Sequence, residues 1–136
     1  MMKLGIDFSA RVPGGPAFVS STVVDAHALD RLVVEVTQGT PLTVDLQPAG
    51  AEKLLLLAAN STPPAADAGA KVTAVIQDGS GGSANRTSKL PLNKPIMLVG
   101  SALALLPGAP RQMVLEYAGS ASTAKATVEI MIARTV

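Results

Sequence analysis

His27 is the only histidine in this 136-residue chain, and it stands between Asp25 and Asp30. A histidine beside a carboxylate is the core of a hydrolytic triad or of a metal pair. Imidazole-based metal centres take several His or Cys ligands, however, and the chain has one His and no Cys. His27 is therefore expected to be a structural or solvated loop residue. Glu35, Asp45, Glu52, Glu116 and Glu129 are the carboxylates from which a glycoside-cleaving pair would be drawn. Each falls where the solvent face of a strand is expected, so solvated or cross-strand paired charge is the ordinary explanation.

Asp78-Gly79-Ser80-Gly81-Gly82 has the composition of a calcium or phosphate loop. The next three residues, Ser83-Ala84-Asn85, supply neither spaced oxygen ligands nor the Lys and helix of a phosphate loop, so an exposed turn is expected. Asn85-Arg86-Thr87 matches a glycosylation sequon, but the N-terminus alternates Leu4, Ile6 and Phe8 with Gly5 and Asp7 instead of forming a leader's apolar run. No catalytic residue, cofactor-binding residue or metal ligand is assigned, no cofactor is implied, and a non-enzymatic protein made in the cytoplasm of a cell is expected.

The bulk composition points the same way. Apolar residues make up 48% of the chain and charged residues 15%, against the ~25% charge usual for a soluble domain. Either Ser, Thr, Asn and Gln supply the solvation, or the surface contacts other subunits, the reading that few charges with much apolar surface favour. The net charge is +1, and Lys and Arg are scattered singly from Lys3 to Arg134, with no basic stripe for nucleic acid. Phe8, Phe18 and Tyr117 are the only aromatics, too few for a base-stacking platform. No apolar run reaches the ~18 residues of a membrane span.

The elements follow from period-2 alternation. Residues 3–8 read as a strand, ended by Val12-Pro13-Gly14-Gly15-Pro16, and 17–24 as a second β-prone run. Residues 25–30 read as a connection or one helical turn. Leu32, Val34 and Val36 share one face of a strand, and Leu42, Val44 and Leu46 one face of the next. With Gln38-Gly39-Thr40-Pro41 as the turn between the first two, these and the run from Leu54 read as three consecutive strands of one antiparallel sheet. Leu54-Leu55-Leu56-Leu57 does not alternate and is expected to be apolar on both faces. A loop is expected over 60–70, a strand over 71–77, an edge or irregular strand around Pro91 and Pro95, and a buried connection over 100–110. Strands are expected over 111–118 and 124–135.

About eight or nine short strands and no convincing amphipathic helix imply an all-β sandwich. Jelly-roll topology is favoured by the long connections at 60–70 and 100–110, with an immunoglobulin-like sandwich as the alternative. One domain is expected over 21–136, preceded by an N-terminal arm or edge strand over 1–20.

The strand-turn-strand VTQGTPLTVDLQPAG, the segment LPLNKPIMLVGSALALLPGAP with the strand after it, and the closing TVEIMIART together resemble small virion structural proteins of tailed bacteriophages, of the cement or decoration type. The resemblance runs from Val36 to the C-terminus as an ordering of strands and Gly/Pro turns. It implies a jelly-roll or related sandwich on the capsid exterior, bound to the major capsid protein and to copies of itself as a dimer or trimer, with no nucleic acid or membrane partner. It supplies no catalytic residues. Such a role requires adhesive edges, and an interface of ~800 Å² per partner would be ordinary. Leu4, Ile6, Phe8, Arg11 and Phe18 are the candidate interface residues, on an arm beside a Pro/Gly hinge at 13–16. The competing reading is a ligand-binding sandwich, such as a carbohydrate-binding module or tail-associated adhesin, with Tyr117 as its exposed platform.

Overall fold

The computed structural model describes residues 1–46, 53–62, 71–79, 85–106, 110–119 and 125–135. Ten strands are described: β1 Met2–Arg11, β2 Ala17–Ala26, β3 Ala28–Thr37, β4 Leu42–Asp45, β5 Lys53–Thr62, β6 Lys71–Gln77, β7 Leu90–Pro91, β8 Ile96–Val99, β9 Gln112–Ala118 and β10 Lys125–Thr135. A short 3-10 helix, Gly100–Leu105, joins β8 to the stretch before β9.

β3 to β10 form two four-stranded sheets, in the orders β3-β10-β5-β8 and β4-β9-β6-β7. All pairings are antiparallel. The pairing is nested: β3 with β10, β4 with β9, β5 with β8 and β6 with β7. A chain that runs out through β6, returns along itself and rolls so that β5 meets β10 and β6 meets β9 is a jelly roll. The immunoglobulin-like order, whose sheets combine strands differently, does not occur.

Alternation drives this arrangement. In β10 Ala126, Val128, Ile130 and Ile132 are buried, and in β9 Met113, Leu115 and Tyr117. These meet Val36, Val44, Leu57, Val72, Ala74 and Ile76 in one core between the sheets. β7 and β8 are both outermost strands, as Pro91 and Pro95 imply, because proline cannot donate to an inner ladder. Between them the chain changes sheet. Leu92 N–H donates to Val72 O at 2.8 Å, while Ser61 Oγ, across the core in β5, donates to Leu92 O at 2.6 Å.

β3, β4 and β5 are not consecutive strands of one sheet, contrary to the expectation from their pattern: β4 lies in the other sheet, and β10 stands between β3 and β5. The turn at 38–41, with Gly39 at φ 77°, passes the chain from one sheet to the other. Both strands still turn their apolar face to the same core. A period-2 pattern records which face is buried but is silent on whether the next strand pairs alongside or lies opposite. Residues 25–30 form no helical turn either: β2 ends at Ala26 and β3 starts at Ala28, so only His27 lies between them. The segment 100–106 does form a helical turn, but none of the helix is buried and Leu105 is 81% exposed. Leu103 packs on the core and Leu106 is buried in it.

β5 explains the non-alternating leucines. Ala133 of β10 faces Leu56, but Arg134 faces Leu54, which leaves Leu55 as the extra residue of a bulge. Leu54 and Leu57 join the main core, whereas Leu55 and Leu56 turn to the outer face of the sheet. That outer face is where the N-terminal strands lie.

Candidate functional site

β1 and β2 form a separate two-stranded antiparallel hairpin, in register from Met2 opposite Ala26 to Arg11 opposite Ala17. Pro13-Gly14-Gly15-Pro16 is the tip of this hairpin and not a hinge. Val12 N–H donates to Pro16 O at 3.2 Å, Gly15 N–H donates to Val12 O at 2.8 Å, and Gly14 takes the positive φ of 71° that the turn needs. The hairpin therefore runs past residue 20 to Ala26, with β2 as its second strand.

Directly opposed residues of an antiparallel pair share a face. One face of the hairpin carries Leu4, Ile6, Phe8 and Ala10 with Val24, Thr22, Ser20 and Phe18 opposite them. The lower half of this face is covered by the chain itself. Ile6, Ala26, Leu56 and Ala133 form a second buried cluster, flanked by Leu4, Val24, Leu55, Val99 and Met131. Beyond Ile6 the cover ends, and every residue from Asp7 to Val23 is exposed. In that stretch Phe8 is 48% and Phe18 62% exposed, and their rings meet edge to face with centroids 6.1 Å apart. The five candidate interface residues therefore separate. Leu4 and Ile6 are spent on the chain's own sheet, while Phe8 and Phe18 are free on the same face. Arg11, beside the tip, lies on the opposite face with Val19 and Val23.

The candidates for chemistry are dispersed and engaged elsewhere. His27 is exposed, and its backbone N–H donates to Arg134 O at 2.7 Å. Its acidic neighbours are each bound to a cation, Asp25 to Lys3 at 3.4 Å and Asp30 to Arg134. Glu35 pairs with Lys125 at 3.8 Å, Glu116 with Lys89 at 3.1 Å and Glu129 with Arg31 at 2.9 Å. The hydrogen bond from Arg31, and then its charge, hold the Glu129 carboxyl below its ordinary range and raise Arg31 in return. Asp45 is exposed at the end of β4, and Glu52 and residues 80–84 of the glycine-rich loop lie outside the described residues. Thr87 of the sequon is structural: its Oγ1 accepts from Ile76 N–H at 3.1 Å. Among the described residues no group of three or more His, Cys, Asp or Glu is placed to hold a metal ion, and no helix is long and apolar enough to cross a membrane.

Tyr117 is 4% exposed and belongs to the main core. It cannot serve as the exposed sugar platform that the ligand-binding reading requires. It follows Met113 and Leu115 on the inner face of β9, so the alternation that makes the strand also buries the ring.

No family model, curated protein or solved structure matches this chain.

Shallow depressions flank the sandwich. One, of about 370 Å³ beside Val75, Gln77, Arg86, Thr87 and Lys89, is crossed by the Lys89–Glu116 ion pair. Another, of about 260 Å³, lies on the outer face of the β3-β10-β5-β8 sheet and is lined by Ala58, Pro95, Met97, Glu129 and Met131. Sequence reasoning singled out none of these five as surface contacts. The available signal was the run Leu54–Leu57, which required something apolar on the outer face as well as inside.

Proposed function

We propose that this chain is a non-enzymatic structural virion protein, a cement or decoration protein that binds and stabilises a bacteriophage capsid, with the jelly roll as a rigid block and the hairpin as its contact arm. The observation that carries the reading is the bare upper half of the hairpin. Its 17 consecutive exposed residues, 7–23, include the chain's only two phenylalanines. A two-stranded ribbon by itself is marginally stable in water, and apolar side chains held on one are suited to burial against another subunit. Among the described residues β1 and β2 pair only with each other, so their outer edges offer further backbone groups to a neighbour.

The assignment to a capsid rests on the resemblance of 36–136 to virion proteins. The carbohydrate-binding alternative loses its main support with Tyr117 in the core. The test is immunogold labelling of virions purified from the source of the chain, with mass spectrometry of the same particles. Gold distributed over the heads supports the reading; virions free of the chain overturn it.

A further inference from the structure

We infer that the occupant of the arm's free face is a second copy of this chain, with Phe8 and Phe18 of one copy docking on the Met97–Met131 depression of the other. The inference rests on reading the hairpin as an intersubunit arm, but it requires no capsid.

The first argument is continuity. Within one chain the hairpin face packs on the outer face of the β3-β10-β5-β8 sheet through Leu4, Ile6 and Val24 on one side and Leu55, Leu56, Val99 and Met131 on the other. Both surfaces run past this contact. The hairpin face continues to Phe8 and Phe18, and the sheet face continues from Met131 across Ala58 to Met97, which sit opposite one another in adjacent strands. Each surface is therefore the unfinished part of an interface whose complementarity the chain already demonstrates on itself. A second copy brings both halves, as a self-complementary two-fold contact requires.

The second argument is chemical. The free part of the arm presents two aromatic rings, and the depression is lined by two methionines, with Met97 49% exposed. Thioether sulfur packs favourably against aromatic ring edges, and methionine adapts its shape to an inserted side chain. The reciprocal arrangement buries two such contacts per dimer, so each arm reinforces the other by effective concentration.

Sedimentation and chemical cross-linking of the purified full chain test the inference. The wild-type chain is expected to be a dimer. Phe8→Ser with Phe18→Ser is expected to weaken self-association by at least about 100-fold, as is Met97→Glu alone, with the far-UV spectrum and melting curve of the sandwich retained. The chain has no cysteine, so a mixture of Phe18→Cys copies with Met97→Cys copies reports the contact directly. A disulfide joining the two kinds of copy is expected, in excess over either kind with itself. A wild-type chain that stays monomeric at high concentration overturns the inference, as does an oligomer unchanged by the phenylalanine and methionine variants. Either of those results, with gold still found on virion heads, would reassign the arm to the shell and leave the proposed function standing.

Discussion

Phe8 and Phe18 meet edge to face, at 64° between ring planes, on a stretch of ribbon whose residues are all exposed. They are diagonal neighbours, since Phe8 opposes Ser20 and Phe18 opposes Ala10. Such a pair contributes about 0.5–1.5 kcal/mol beyond its burial when fully packed. Here both rings are about half exposed, so the contact organises the upper hairpin without supporting the sandwich. Phe18→Ala is therefore expected to leave the melting temperature of the body nearly unchanged. In the free monomer it should also speed tryptic cleavage after Arg11, read by mass spectrometry of the released N-terminal peptide.

Two successive leucines of β5, on its opposite faces, should differ in effect. Leu57 is fully buried between the sheets and Leu56 is buried under the hairpin. Leu57→Ala is expected to cost about 3–5 kcal/mol in urea unfolding, and Leu56→Ala nearer ~2 kcal/mol. Only Leu56→Ala should also raise amide exchange across residues 2–8 without unfolding the body.

Tyr117→Ala should act on stability. With the ring in the core, the substitution is expected to cost about 3–5 kcal/mol, measured by chemical denaturation. A variant of wild-type stability that had lost binding on a glycan array would contradict the burial of this ring.

Arg134 ties the end of β10 to both sheets. Its Nη1 donates to Leu46 O at 2.8 Å at the end of β4, and its Nη2 pairs with Asp30 in β3. Arg134→Met keeps the aliphatic stem but leaves the carbonyl of fully buried Leu46 without this donor. A loss of about 1.5–3 kcal/mol is expected. Asp30→Asn, at the more exposed end of the pair, should cost less; equal losses in urea unfolding would be inconsistent with this arrangement.

The Arg31–Glu129 pair predicts a weak acid dependence. The folded Glu129 carboxyl is held below its ordinary value of about 4.5, first by the hydrogen bond from Arg31 and then by its charge. A carboxyl depressed in the folded state adds stability above its unfolded value, and that stability is lost as pH falls through the lower folded value. Both groups are solvent-exposed, so the effect is small and salt-sensitive. Glu129→Gln should therefore melt slightly below wild type at neutral pH and converge with it in acid.

Much of the body was legible in residue pattern. The alternation in 124–135 puts Val128, Ile130 and Ile132 on one face of β10, the face that is buried, and Pro91 and Pro95 mark the outer strands. The candidate site was less legible. Leu4, Ile6, Phe8 and Phe18 read as one apolar set, yet the chain's own Leu56 and Ala133 cover half of it and leave the rest bare. Residues 13–16 read as a hinge because Pro and Gly mark a break without saying whether the chain leaves the domain or doubles back. The doubling back depends on ladder bonds between β1 and β2.

By itself, then, the sequence determined an all-β chain, the inward face of its main strands and a two-faced Leu54–Leu57. These are local properties, set by the two-residue period of the strand and by the φ demands of Gly and Pro. Only the tertiary structure decided which strands pair, that β3 and β4 lie in opposite sheets, that Tyr117 is core, and where the apolar arm stops being covered. Those outcomes depend on contacts between residues far apart in the chain, such as Arg134 with Leu46 and Ile6 with Leu56. A period-2 pattern carries each strand's burial but not the identity of its partner.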